Sequence, residues 1–541
     1  MTLLRKSKII MLAFGVVVAF GITWYRISAV TPPWGDEPRN LLVAKSLAIT
    51  GEPVLWDYSN GLPINIHYTR GMAITYPLVF LYKHGLIQLI WARAVPLAYV
   101  LLTLFFWIGY LCYKKQLNAT GVALLTIFFL GQPMVFEQSA FVRMYAPLGF
   151  VFSIVLVCLW GLKEAWKKRQ GWIFAGLAAF CLLGLWVPKA DSWQGEHIPL
   201  FLLALAMLNS YVWRACVFLI RRPVWALVVF IALLWLGPII VIVINTWIPF
   251  IVKGFGISIS RMYCTYWDNI GGLIRFFLAV NIMWWGLCWI FRSPDQRNFF
   301  SWLYLSGLLG GIFLGLFTPP QHIFFSRYFY LSIIAVTVGF AGMCVEKSPE
   351  PWVKRALIAG YLLTSILFTF VNFHFERSNL PEAVRWLKKN MGQKDVLLYY
   401  NHFYGLNDGE ELAGDHVYPI KDRNIDKAIE FVSMPGIEHV YFLMNDNYKF
   451  RNILYKKTTG HDRWAVINPI ADYLNSDVSG EEVLDSLWGC DLKRFEPQQV
   501  AVALTKLKEN QLPRMPPWQL NFYQENVLRF MMKILGRPFR G

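Results

Sequence analysis

"MAITYPLVFLYKHGLIQLI", residues 72–90, decides how this chain sits relative to a membrane. The run is almost long and apolar enough to cross a bilayer, which takes roughly 20 apolar residues in a helix. If it crosses, every later loop changes side. Five basic clusters would then face outward, against the tendency of cytoplasmic loops to collect Lys and Arg. Lys83 and His84 also interrupt the run. Residues 70–88 therefore read as a helix lying on the membrane surface.

Working outward, apolar stretches of span length occur at about residues 9–30, 92–113, 119–136, 145–162, 171–187, 197–213, 223–247, 272–291, 299–317, 327–345 and 355–373, giving about eleven spans. The clusters Arg5/Lys6/Lys8, Lys114/Lys115, Lys163/Lys167/Lys168/Arg169, Arg214/Arg221/Arg222, Arg292/Arg297 and Lys347/Lys354/Arg355 then share one side, the cytoplasm. The odd span count puts everything after Phe373 outside. The segment up to Val30 has the basic start of a signal peptide. Its apolar part is too long and no small-residue cleavage site follows, so it reads as an uncleaved first span.

Composition agrees. The chain has 541 residues, 56% hydrophobic and 17% aromatic, more apolar surface than a soluble domain hides. Its formal charge of +17 lies between apolar spans and is not gathered on one polar domain, which fits anionic lipid headgroups and argues against nucleic acid. The eight cysteines are scattered without a CxxC spacing, so neither zinc nor thiol redox chemistry is indicated.

After Glu376 the pattern changes. "LPEAVRWLKKNMG" is helical, with Gly392 as a candidate end cap, and "DVLLYY", "HVYPI" and "EHVYFLMN" read as strands, with a helix at about 424–432. Strands alternating with helices imply a small α/β domain with a parallel sheet. "ENVLRFMMKILG" reads as a terminal helix, either packed or resting on lipid. The expected organisation is a polytopic α-helical membrane domain over 1–375, with a long outer loop at 31–91, and an extracytoplasmic α/β domain over 376–541.

The outer loop opens with "TPPWGDEPRN", residues 31–40. Asp36 and Glu37 stand just before "EPRNLLVAKSLAIT", a helix that Pro38 suits at its first turn and Gly51 with Pro53 at its stop. An acid there can cap the helix and meet its positive end. Two adjacent acids point in different directions, so one can cap while the other faces a site. Loops of about sixty residues are uncommon unless functional. This one also holds Trp34, Trp56, Asp57, Asn60, His67, Tyr68 and Arg70.

The order of these features resembles the GT-C glycosyltransferases, in the branch of the protein O-mannosyltransferases and the lipid A aminoarabinose transferases. The matching features are the "DE" pair after span one, the following helix, Asn60-Gly61, "YTRGMAITYPLVFLYKHG" and "ARAVPLAY". "SAFVRMYAPLGFVFSIVLVCLWG" (139–161) and "FSRYFYLSIIAVTVGFAGM" (325–343) are similar to spans of that branch. The resemblance implies transfer of one sugar from a polyprenyl-phosphate carrier to an acceptor hydroxyl at the outer membrane face. The acceptor class is a glycolipid, a glycan or a protein.

That reaction sets chemical demands. The leaving phosphate is a stable anion, so no general acid is needed, unlike in ordinary glycosidases. A carboxylate must take the acceptor's proton. Cations must hold the phosphate, and Arg does so by bidentate pairing. The resemblance makes Asp36 the base and leaves Glu37 to orient the acceptor, bind a cation or cap the helix. Arg70, Arg143, Lys189, Arg261 and Arg327 are the candidate phosphate ligands, each with snorkelling to the headgroups as its plain alternative. Trp34, Asn60, Tyr68, Tyr145 and Tyr263 are candidate substrate contacts. Some relatives bind a divalent metal ion. Glu196, His197 and His67 are the candidate ligands here, without a close metal-binding spacing such as HExxH. No other cofactor is implied. "KGFGISISRMYCTYWDNIGG" (253–272) suits a mobile lid. The compact loops and single small outer domain suit a bacterial inner membrane. The competing classes are a transporter, which would show repeats and mid-bilayer charges absent from this sequence, and a lipid-binding protein without catalysis.

Overall fold

Three helices are long and apolar enough to cross a bilayer: α1 (Thr2–Val30), α4 (Leu89–Tyr113) and α7 (Tyr145–Lys167). Between the last two, α5 (Ala119–Leu130) and α6 (Pro133–Ser139) form a pair bent by 71°. Farther on, α9 (His197–Ala206) and α10 (Ser210–Arg221) form a pair bent by 108°. The structure, a computed structural model, describes residues 2–30, 37–57, 62–67, 69, 71–86, 88–190, 197–222, 224, 228, 276–292, 297–317, 329–346, 350–375, 380–400, 417–420, 425–445, 480–484 and 490–509. Among them, three to five spans meet the length and composition test, against the roughly eleven expected. Expected spans also appear as the helices α8 (Gly171–Ala190), α12 (Phe299–Phe317), α13 (Tyr330–Glu346) and α14 (Pro351–Phe375). The 272–291 stretch holds a 3-10 turn (Asn281–Trp285) and α11 (Gly286–Arg292). Most of the 223–247 stretch, the 253–272 loop and the "ENVLRFMMKILG" segment lie outside the described residues.

Two stretches expected as single spans are broken. At 119–136 the helix stops at Gly131 and restarts at Pro133, whose ring nitrogen cannot donate back into the preceding turn. The Gln132 side chain between them donates to the carbonyl of Ala279 at 2.9 Å. At 197–213 the chain turns at residues 207–209, and the Asn209 side chain caps α10 by accepting from the amide of Tyr211 at 2.8 Å. The 72–90 run also resolves into two pieces. α3 (Met72–Lys83) has twelve residues, about 18 Å of helix, and α4 starts separately at Leu89. α3 alone is too short to cross.

The loop after α1 folds more than its sequence suggested. α2 (Glu37–Thr50) ends at Gly51, whose φ of 80° is left-handed. An antiparallel hairpin follows, β1 (Val54–Asp57) and β2 (Leu62–His67). α2, α3, α4 and Val142 share a small core of Ala44, Ile74, Leu78, Ala92 and Val142.

Contacts sort the helix ends into two groups. Lys114 pairs with Glu164 at 3.6 Å, Arg297 donates to the carbonyls of Met207 and Leu208, and Asn298 donates to Glu346. The Trp160 ring of α7 packs against Phe299 and Trp302 of α12, so these basic loops meet at one end. At the other, Arg93 reaches Ile27, Ser28 and Glu37, which in turn reaches Val142.

α12 and α13 approach through small residues, the means by which apolar helices pack closely without a hydrophobic drive between them. A Cβ on Gly307 would stand 2.7 Å from the carbonyl oxygen of Ser332, and one on Gly339 2.5 Å from the amide nitrogen of Tyr304. Tyr304 donates to the carbonyl of Met283 at 2.9 Å, Tyr361 to that of Phe128 at 2.6 Å, and Trp302 to that of Ala204 at 3.0 Å. These three buried aromatic donors thus find main-chain acceptors.

The C-terminal region forms a five-stranded sheet in the order β4-β3-β5-β7-β6. Its strands are β3 (Asp395–Tyr400), β4 (Val417–Ile420), β5 (His439–Asn445), β6 (Glu481–Leu484) and β7 (Cys490–Phe495). The first three in that order are parallel, as the sequence indicated. β7 and β6 join antiparallel, so the sheet is mixed. Alternate residues serve opposite faces. Val396, Leu398, Val440 and Phe442 pack with α16 (Ile425–Val432) and α17 (Pro497–Glu509), while Leu397, Tyr441 and Leu443 pack with α15 (Leu380–Asn390). Gly392 lies beyond the end of α15 and donates its amide to Asp395 at 2.7 Å.

Gly339→Ala puts a methyl against the α12 backbone and should cost about 1–3 kcal/mol. Thermal unfolding in detergent should show a lower midpoint, while Gly15→Ala, which meets nothing within 4 Å, should leave it unchanged.

Candidate active site

The site is built from helix starts. Glu37 is the first residue of α2, and Arg93 lies in the second turn of α4. Both side chains are fully buried. They pair as a fork: Arg93 Nε donates to Glu37 Oε1 at 3.0 Å and Nη2 to Oε2 at 2.7 Å. Arg93 Nη1 turns to the end of α1, donating to the carbonyls of Ser28 at 3.3 Å and Ile27 at 3.4 Å. Each charge thus sits at a helix pole of opposite sign, the carboxylate at the start of α2 and the guanidinium at the end of α1.

Glu37 Oε1 also accepts from the amide of Val142 at 3.0 Å. One turn along α2, Asn40 Nδ2 donates to the carbonyl of Val142 at 2.7 Å. Both main-chain groups of residue 142 are therefore held by α2. The next residue is Arg143, buried at the entrance to α7, with its amide donating to Phe141 at 2.7 Å. Gly71 completes the joint. It precedes α3 in a left-handed conformation, φ 81°, and a Cβ there would lie 3.2 Å from Asn40 Oδ1 and 3.8 Å from Met144 Cβ. A side chain at 71 would be strained in φ and would crowd Asn40.

The starts of α2, α3 and α7 therefore meet. Of the residues singled out in the sequence, Glu37, Arg143 and Tyr145 are described here, and Tyr145 is buried as the first residue of α7. Glu37 pairs with the chain's own Arg93 and has no exposed surface. Lys189 lies in the last turn of α8. α7 and α8 pack with Val155 against Gly184 and Gly161 against Leu177, an antiparallel register that sets position 189 about one turn in from Tyr145. His197 opens α9 and His67 closes β2. Trp34, Asp36, Asn60, Tyr68, Arg70, Glu196, Arg261, Tyr263 and Arg327 lie outside the described residues. Among the described residues no group of three His, Cys, Asp or Glu could hold a metal ion.

Sequence reasoning missed Arg93 and Asn40. Arg93 had a signal: an arginine five residues into an apolar helix needs a partner. Asn40 had none beyond its helical spacing from Glu37.

No protein-family model matches the chain, and no curated protein matches it. Solved structures do. The crystal structure of ArnT from Cupriavidus metallidurans in the apo state covers 91% of this chain and 99% of its own at 14% identity and a TM-score of 0.49. The crystal structure of ArnT bound to undecaprenyl phosphate covers 89% and 97% at 13% identity and the same TM-score. ArnT is a lipid A aminoarabinose transferase, a GT-C enzyme of the branch the sequence resembles.

Removing one member of a buried ion pair strands the other charge, at a cost of about 3–5 kcal/mol. Arg93→Met should therefore destabilise the protein strongly, and the double variant Glu37→Gln/Arg93→Met should recover much of the loss. A double-mutant cycle on thermal unfolding checks this. Wild-type stability in Arg93→Met would disprove the pairing.

Proposed function

We propose that this chain is an inverting, integral-membrane glycosyltransferase that moves a sugar from a polyprenyl-phosphate donor to an acceptor hydroxyl. The observation that carries this reading is the joint of Glu37, Gly71 and Val142–Arg143. In the sequence Asp36 precedes Glu37, Arg70 precedes Gly71 and Arg143 follows Val142, which supports reading an acid and two arginines together as the site. Glu37 is committed to Arg93 and Val142, which leaves Asp36 as the acid of the pair for chemistry.

In this mechanism the acceptor oxygen attacks the anomeric carbon from the face opposite the phosphate. The new C–O bond forms as the sugar–phosphate bond breaks, which inverts the anomeric centre. Asp36 takes the hydroxyl proton, and the bonding electrons leave on polyprenyl phosphate. Arg143 and Arg70, with Lys189, Arg261 and Arg327 as further ligands, hold the departing anion. A donor with an apolar tail is delivered from the bilayer, so the site opens at headgroup depth. The membrane domain is 1–375 and the α/β domain 376–541. The basic end of the bundle faces the cytoplasm with the N-terminus. The site and the C-terminal domain face the opposite side, in a bacterial inner membrane.

Purified protein should release polyprenyl phosphate from one member of a radiolabelled polyprenyl-phosphate sugar panel when membrane acceptors are present. Asp36→Asn should lower that release by about 10²–10⁴ with donor binding retained. Product NMR should report the inverted anomer. Folded protein that turns over no donor would move the chain to the transporter or lipid-binding class.

A further inference from the structure

The end of the bundle away from Glu37 gathers positive charge that no acid pairs with among the described residues. Arg297, two residues before α12, donates through Nη1 to the carbonyls of Met207 at 3.2 Å and Leu208 at 2.5 Å, just past α9. Its Nε and Nη2 have no protein acceptor among the described residues. Lys163 of α7 holds its Nζ 3.7 Å from the centroid of the Trp160 ring. Lys167 lies one turn along α7 from Lys163, and the Trp160 ring beside Lys163 packs 5.4 Å from Phe299 and 5.3 Å from Trp302, in the first turn of α12 just after Arg297. The acids nearby are engaged elsewhere. Glu164 accepts from Trp160 Nε1 at 3.0 Å and pairs with Lys114 at 3.6 Å, and Glu346 accepts from Asn298. Burial also pushes the Arg297 guanidinium below its ordinary pKa, a cost that a neighbouring anion removes.

We propose that Lys163, Lys167 and Arg297 form a binding site for the phosphate of an anionic membrane lipid, at the end of the bundle opposite the candidate active site. The surroundings favour a lipid as the source of the phosphate. Trp166, Trp172, Tyr113 and Tyr211 are strongly exposed at this same end, the placement of an aromatic belt at headgroup depth. α10 turns off α9 at 108° and carries exposed Val212 and Phe218 beside Arg214 and Arg221, with the Arg222 guanidinium 4.7 Å from the Phe218 ring. A basic helix with exposed apolar residues suits the interface of an anionic leaflet. The phosphate enters from that leaflet, accepts from the free Arg297 N–H groups and the two ammonium groups, and relieves their mutual repulsion.

The test uses the full chain in detergent, titrated with phosphatidylglycerol and with phosphatidylcholine and read by native mass spectrometry. Phosphatidylglycerol should bind more tightly than phosphatidylcholine. Each charge removed should weaken it about fivefold, so K163Q/R297Q should lose about 25-fold. K389Q/K506Q, which removes two exposed charges from the C-terminal region, should bind as wild type. If K163Q/R297Q does not fold, K167Q, an exposed position, should still lose about fivefold. Wild-type affinity in the folded cluster variants would overturn the site. Inorganic phosphate raising the unfolding midpoint as much as phosphatidylglycerol would overturn the lipid as its ligand.

Discussion

A guanidinium and a carboxylate, both shut away from water, organise one end of this protein. Taking either charge out of water costs several kcal/mol, and only good geometry with further hydrogen bonds offsets that. Glu37 and Arg93 meet both conditions. Their fork is bidentate, and the remaining capacity goes to main-chain groups of residues 27, 28 and 142. The end of α1, the starts of α2 and α4, and the approach to α7 are thereby fixed to one another by polar bonds. The small apolar core of Ile74, Leu78, Ala92 and Val142 packs around the same residues. Hydrophobic contact alone is non-directional and would not set that register.

The two ends of the bundle treat charge in opposite ways. At the Glu37 end the acid is buried, saturated and used to hold backbone. At the other end Lys163, Lys167 and Arg297 have no acid paired with them among the described residues, and they sit among exposed aromatic side chains. A charge that is internally matched fixes geometry. A charge that is left over faces outward to whatever the solvent or the lipid supplies. The same chain uses both.

Much of this was legible in the sequence, and the misses have physical causes. The α2 boundaries followed from an acid at the start and Gly51 at the stop, both local signals. The strands β3 and β5 followed from short apolar runs whose alternate residues face two different helix layers. β6 and β7 were missed because "EEVL" and "CDLKRF" are rich in charge, as suits an edge strand and its neighbour. The hairpin β1–β2 was missed because Pro63 and mixed polarity hide its alternation. The break at Gly131–Pro133 was written in the residues, but apolar side chains on both sides kept the stretch looking continuous. Arg93 announced that it needed a partner, yet nothing local pointed 56 positions back to Glu37. Glu37, Arg143 and Tyr145 stood out by residue type, while the bonds that tie Glu37 to Arg93 and Val142 run between distant segments.

The glycine contacts between α12 and α13 have a mechanical consequence. Where two backbones touch with no side chain between them, there is no rotamer to change and no layer to shear. Gly307 and Gly339 give α12 and α13 such a contact on both sides. The pair must therefore travel as a single rigid body. Any opening of the bundle has to be borne by helices whose contacts run through flexible side chains, or at the bends where α5 meets α6 and α9 meets α10.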